Sequence, residues 1–262
     1  MTARLFCDTF DIGCGVHPKQ PIMLMKKHVK IALFDLDGTL LPMDQDAFIS
    51  AYFSTLIGKL SPFGYDKKLI EVIWHGTADM IKNSGEVTNN TLFWKAFTAV
   101  YGDKARTDER LFDDYYSNDF NKVSSACGYS PSAAKVISLC KSSGLRVALA
   151  TNPIFPAVAT NARIAWAGLK PTDFELVTTY ENSHSCKPNL AYYTEICDKL
   201  NVAPDECVMI GNDVGEDMVA RNLGMRVFLL TDCIINKNNE DISSYPHGSF
   251  DELSEFLSEI NN

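Results

Sequence analysis

The chain has 262 residues, 46% of them hydrophobic and 11% aromatic, enough to bury a sizeable core in one large domain or two smaller ones. Its net charge of −9 leaves no extended basic surface, which argues against general nucleic-acid or anionic-membrane binding but not against a small anionic substrate held by local cations. No apolar run is long enough to span a bilayer, and the eight cysteines are scattered without a Cys-x-x-Cys pair, so a reduced cytoplasmic setting fits better than a disulfide framework.

Residues 1–28 read as an extension before the first strand. Asp8 and Asp11 interrupt any secretory apolar core there, and Met23 or Met25 is a candidate start. The first element follows at Lys30. Ile31, Ala32, Leu33 and Phe34 form a continuous apolar run, the pattern of a strand buried on both faces in a parallel sheet. It ends in Asp35-Leu36-Asp37-Gly38-Thr39, where Gly38 allows an immediate turn. In open α/β sheets ligands bind at that carboxyl edge. Taken alone, the same stretch also reads as a strand followed by an ordinary polar turn, and the rest of the chain decides between the two.

From about residue 43 to 128 the spacing is helical and nothing reads as strand. Phe48 to Leu60 predicts one helix, broken by Ser61-Pro62-Phe63-Gly64. Leu69 to Ile81, Thr91 to Tyr101 and Glu109 to Val123 predict the rest. Trp74, His75, Phe93 and Trp94 are expected to fill the core of this segment, and Met43 and Asp44 are candidate gate residues, with N-capping as the alternative for Asp44.

After Ser130-Pro131, a helix start, strands and helices alternate. Leu145 to Ala150 is a strand ending in Thr151-Asn152-Pro153, followed by a helix over 156–167. Phe174 to Thr178 is a strand leading through a polar loop to Lys187-Pro188, and a helix covers 189–200. Cys207 to Ile210 is a strand ending in Gly211-Asn212-Asp213, with a helix over 216–223 and a strand over 226–230. Ser249 and Glu252 form a capping box for a last helix. Such alternation predicts a doubly wound, right-handed parallel sheet of Rossmann-like type, with the residues after each strand sharing one edge.

Collected at that edge are Asp35 and Asp37, Thr151 and Asn152, Lys187, and Asp213 with Asp217. Nucleophile, acid/base group, hydroxyl, cation and extra carboxylates together suit phosphoryl transfer through an aspartyl phosphate with Mg²⁺, because a phosphate dianion needs a hard cation between itself and clustered carboxylates. Lys187 also reads as a solvated loop charge, and Asp217 as a first-turn acid favouring a helix dipole. His184 reads as a loop histidine, and Cys186 as a thiol whose redox sensitivity lacks a partner cysteine.

With these motifs in order, the chain resembles the haloacid dehalogenase superfamily of phosphohydrolases. The resemblance covers about 29–42 and 130–260 and rests on Asp35-x-Asp37-Gly38-Thr39, Thr151-Asn152, Lys187-Pro188 and Gly211-Asn212-Asp213 with Asp217. It implies an α/β core over 29–42 and 129–262, with 43–128 as an inserted helical cap. It further implies Asp35 as nucleophile and Asp37 as acid and then base. Thr151, Asn152 and Lys187 would bind phosphate, and Asp35, the Asp37 carbonyl, Asp213 and, in support, Asp217 would hold Mg²⁺. Two departures stand out: Asn212 occupies a place often held by Asp, and no Gly closely precedes Lys187. A capped site favours a small phosphorylated metabolite over macromolecules. The presence of Asp37 speaks against dehalogenation, while a phosphomutase and a non-catalytic metabolite-binding protein stay open as alternatives.

Overall fold

The computed structural model describes residues 28–261, so nearly all of the N-terminal extension, Met23 and Met25 included, lies outside the described residues. The apolar runs become β1 (Ile31–Phe34), β2 (Arg146–Leu149), β3 (Cys207–Gly211) and β4 (Arg226–Leu230). A two-residue β5 (His247–Gly248), which no sequence signal announces, completes a five-stranded sheet of order β2-β1-β3-β4-β5. Every pairing is parallel. This is the α/β architecture that strand–helix alternation predicts.

Between β1 and β2 the chain is helical. It forms α1 (Gln45–Leu60), α2 (Lys68–Ile81), α3 (Asn89–Tyr101), a short α4 (Asp103–Thr107) and α5 (Glu109–Ser117), then a 3₁₀ stretch over Asp119–Ala126. The chain leaves and re-enters the sheet region at one place, where Met43 bridges Cys127 and Gly128 N donates to Pro42 O at 2.7 Å. Asp44 is the N-cap of α1, its carboxylate accepting from Ala47 N at 2.9 Å, as the capping alternative has it. The helix expected over 109–123 breaks at Asn118, whose side chain turns back onto the Asp114 carbonyl and carboxylate, competing with helix propagation. Leu56, Phe97, Tyr115 and Phe120 are fully buried in the layer's own core, with Phe97 and Phe112 packed edge to face at 5.2 Å.

The remaining helices flank the sheet: α6 (Pro131–Ser142), α7 (Ala157–Trp166), α8 (Leu190–Leu200) and α9 (Phe250–Glu259), the last begun by the Ser249/Glu252 capping box. Strand residues alternate between two cores. Ala32, Phe34 and Ile210 pack with Ile137 of α6 and Leu253 of α9, whereas Ile31, Leu33 and Met209 pack with Tyr193 and Ile196 of α8. Burial on both faces is why these strands read as unbroken apolar runs. Each fully buried Leu or Ile contributes about 1.5–3 kcal/mol. Two expected elements differ. Phe174–Thr178 runs beside β2 and makes a single bridge, Leu149 to Val177, with main-chain bonds from Glu175 N to Val147 O (2.8 Å), Leu149 N to Leu176 O (2.8 Å) and Thr178 N to Leu149 O (3.1 Å). In place of a helix from Glu216, the chain makes turns and then a 3₁₀ stretch over Met218–Leu223, since Asp213 Oδ1 caps the Gly215 and Glu216 amides in a side-chain turn.

The register positions the functional edge. Phe34 pairs with both Leu149 and Ile210, so Asp35, Ala150 and Gly211 stand at one level of the sheet. Main-chain bonds carry this one residue further, from Asp35 N to Ile210 O (2.9 Å) and from Ala150 N to Phe34 O (2.7 Å).

Asn89, fully buried at the start of α3, fastens the helical layer to the loops at that edge. Its Nδ2 donates to Pro153 O (3.1 Å) and Ser185 O (3.3 Å), its Oδ1 accepts from Asn83 Nδ2 (2.8 Å), and its main-chain N donates to Ser183 O (2.8 Å). Asn89→Ala strands two buried carbonyls, so it is expected to cost about 1–3 kcal/mol, seen as a lower urea midpoint at unchanged slope. A midpoint equal to wild type would show that these bonds contribute nothing to stability.

Candidate active site

Asp35 follows the last residue of β1 and is 7% exposed. Its Oδ1 accepts from Lys187 Nζ at 2.8 Å. Thr39 Oγ1 lies 3.2 Å from Asp35 Oδ2 and 3.0 Å from Asn212 Oδ1, with one proton to give to either. The turn that brings Thr39 back needs glycine at 38. Its φ is +82°, and a Cβ there would fall 2.3 Å from Asn212 Nδ2. Asn212 Nδ2 in turn donates to Cys233 O at 2.6 Å. A carboxylate could not make that bond, which accounts for Asn at this position.

Lys187 is 2% exposed and bridges two carboxylates, Asp35 at 2.8 Å and Asp217 Oδ1 at 2.6 Å. Burial alone would lower its pKa, but the facing charges of Asp217 and Asp35 outweigh that and hold it well above the usual lysine value. Burial also pushes Asp217 up to about 7, against the pull of Lys187. The second oxygen of Asp217 accepts from Asp213 N at 3.0 Å, so both of its oxygens are engaged within the protein. Gly211 makes room for it, since a Cβ at 211 would fall 2.1 Å from Asp217 Oδ2.

Asp37 Oδ2 is ion-paired with Arg163 Nη1 of α7, while its Oδ1 is buried without a hydrogen-bond partner. Burial raises the Asp37 pKa and Arg163 opposes the rise, leaving it above the ordinary carboxylate value. Arg163 is 1% exposed and lies over the Phe155 ring at 4.5 Å. Arg163 belongs to none of the strand-end motifs, although the sequence carries a signal for it. It is a cation on the packed face of α7, four residues from Ala159 and four from Ala167, both fully buried. Thr39, Asn212 and Glu216 are further contributors that the motif spacing did not single out by role.

Thr151 is buried at the end of β2, its carbonyl held by Thr178 Oγ1 (2.7 Å) and Tyr192 OH (2.9 Å). Asn152 Nδ2 donates to Glu216 Oε2 at 3.1 Å, and burial raises the Glu216 pKa. Asp213 is half-buried. Asp35, Asp37, Thr151, Asn152, Lys187, Asp213 and Asp217 all line one cavity of about 350 Å³, closed on its far side by residues of α1, α2, α3 and α5. Among the described residues, no three His, Cys, Asp or Glu side chains are grouped to hold a metal ion by themselves. Asp35 and Asp213 nevertheless bring hard oxygen donors to one cavity. That set fits Mg²⁺, which typically takes one or two carboxylates and completes its shell with water and substrate phosphate.

Three expectations fall outside the cavity or change character. His184 pairs with Glu195 at 2.8 Å and does not line the site. Cys186 is fully buried, accepts from Asn89 Nδ2 at 3.3 Å and is pushed up to about 12 by burial, the opposite of a reactive thiol. Trp74 is not a core residue: it is 48% exposed and faces the cavity, as Phe93 and Trp94 do from partly buried positions. Among the described residues the cysteines form no disulfide, and no helix is long and apolar enough to cross a membrane.

Residues 29–224 match the family model for haloacid dehalogenase-like hydrolases. A phosphoglycolate phosphatase of Colwellia psychrerythraea is 27% identical over 240 residues, covering 87% of this chain and 95% of the relative. One of Vibrio vulnificus is 25% identical over 213 residues, covering 79% and 86%. A solved 2-haloacid dehalogenase of Pseudomonas syringae superposes with a TM-score of 0.59 at 17% identity, over 88% of this chain and 99% of that one, a likeness of fold.

Lys187→Met leaves the buried Asp35 and Asp217 carboxylates without their shared cation, an expected loss of about 3–5 kcal/mol by denaturant unfolding. Adding Asp217→Leu removes one uncompensated charge and should restore more than half of that loss. Additive losses in the double variant would show that the two residues are not energetically coupled.

Proposed function

The chain belongs to the haloacid dehalogenase-like hydrolases and is a phosphatase of that family, and we propose that it hydrolyses a small phosphorylated metabolite through an aspartyl phosphate on Asp35 with Mg²⁺. The observation that carries this reading is the placement of two carboxylates of different environment at one strand end. Asp35 is held by a lysine and a hydroxyl, whereas Asp37 is held above the ordinary carboxylate range by burial. Environments that push two carboxylates apart divide nucleophile from acid.

In this reading an Asp35 oxygen attacks phosphorus as the ester P–O bond breaks, and Asp37 gives its proton to the departing alkoxide. A water then attacks the phosphorus of the aspartyl phosphate, Asp37 takes up its proton, and Asp35 is regenerated beside free phosphate. Arg163 steers Asp37 between these roles from the inside of α7. Lys187, Thr151 and Asn152 hold the phosphoryl oxygens as charge spreads over them. Asp35, the Asp37 carbonyl and Asp213 would hold Mg²⁺, which when bound shields the carboxylates from phosphate and stabilises charge in the transition state. Asp217, which accepts from Lys187 and from the Asp213 amide, fixes Lys187 and stands as the supporting carboxylate for the metal. The helical segment over 43–128 acts as the cap that covers the reaction, and the substrate enters without nucleic acid or membrane as partner.

Asp35→Asn is expected to lower kcat at least 1,000-fold with p-nitrophenyl phosphate and to abolish ³²P-phosphoenzyme in acid-quenched samples, with unchanged circular dichroism. EDTA should silence the wild type, and Asp213→Ala should raise the Mg²⁺ needed for half-activity at least tenfold while His184→Ala does not. Full activity in EDTA, or turnover by Asp35→Asn, would remove the mechanism. Release of ¹⁸O-labelled phosphate from labelled water separates hydrolysis from phosphoryl return to a sugar.

A further inference from the structure

The cavity that contains the carboxylates has a second half that phosphoryl chemistry does not use. We propose that this half receives an uncharged apolar or aromatic leaving group, so that the substrate is the phosphate monoester of a hydrophobic alcohol. The inference rests on the phosphatase reading above and names the substrate class for that same site.

The wall supplied by the helical layer is the reason. Phe48, Tyr52, Ile73, Trp74, Ile81 and Phe93 line it, and no Lys, Arg or His of that layer does. The cations of the lining, Lys187 and Lys237, belong to the opposite wall, and Lys187 is already shared by Asp35 and Asp217. The layer's one lining carboxylate is Asp113. A leaving group bearing a carboxylate, as glycolate does, would be desolvated there with no cation and with Asp113 on the same wall. Burial in a protein core does not explain the wall either: Trp74 is 48% and Ile81 44% exposed, large apolar surfaces left bare at the cavity. Its volume, about 350 Å³, lies within the range of small-molecule sites. A cationic leaving group would find aromatic faces. It would also find Asp113, but Ile73 and Ile81, with Ile154 from the facing loop, interleave with those faces and offer hydrocarbon contact only, so phosphocholine is the competitor that the test must include.

The test compares esters of similar intrinsic reactivity, because an activated aryl phosphate would reward a poor leaving-group site. With Mg²⁺ present, 2-phenylethyl phosphate is expected to exceed ethyl phosphate in kcat/KM by about 50-fold, the burial of one phenyl group, and to exceed 2-phosphoglycolate by at least as much. Trp74→Ala, at a position left exposed in the fold, should lower the phenylethyl-to-ethyl preference about tenfold. Ile81→Arg should raise kcat/KM for 2-phosphoglycolate relative to 2-phenylethyl phosphate. Preference for 2-phosphoglycolate, or for phosphocholine, over 2-phenylethyl phosphate would overturn the inference, as would an unchanged ratio in Trp74→Ala. Asp35-dependent hydrolysis of p-nitrophenyl phosphate separates the two failures. If it is present while the preference is absent, the substrate class is wrong; if it is absent, the phosphatase reading itself fails.

Discussion

One buried ammonium group serves two carboxylates. Lys187 stands between Asp35 and Asp217, nearly out of contact with water, and neither acid could share this space with the other unless the cation lay between them. The surroundings follow from that need. Gly211 lacks a side chain so that Asp217 can lie against β3, and Asp213 offers its amide to the second oxygen of Asp217. The parallel register of β1 with β3 brings acids 182 residues apart in sequence, Asp35 and Asp217, to the same lysine.

Beside this fixed pair, Asp37 is held differently. Its partner Arg163 comes from α7, a helix that also packs against the helical layer through Ala159 and Trp166. Asp37, read as the proton donor, is therefore anchored at the seam between sheet and helical layer, while Asp35, read as the nucleophile, is anchored at the end of β1. Asn89 fastens the same seam from the other side, through the carbonyls that flank both Asn152 and Lys187. The Asn89 bonds thus tie the helical wall of the cavity to the loops at the sheet edge.

Much of this was legible in the residues. The unbroken apolar runs announced a parallel sheet, and the polar groups after each run announced the shared edge. The expected strand over 174–178 shrinks to one bridge beside β2 that still carries main-chain bonds, and the helix expected over 216–223 gives way to turns and a 3₁₀ stretch because the Asp213 side chain takes the Gly215 and Glu216 amides. Trp74 was expected in a core because helical spacing cannot tell an inner face from a face turned to a cavity.

By itself the sequence determined the strand pattern, the helical segment, the strand-end acids, Thr151 and Lys187, because periodicity and turn chemistry act over a few neighbouring residues. Tertiary structure alone decided that Asp217 answers to Lys187, that Arg163 reaches Asp37, that Asn89 joins the two layers, and that apolar and aromatic side chains of the helical layer line the cavity. These are contacts between residues far apart in the chain. Their energies depend on burial and on which charges face one another, and neither exists until the sheet and the helical layer have come together.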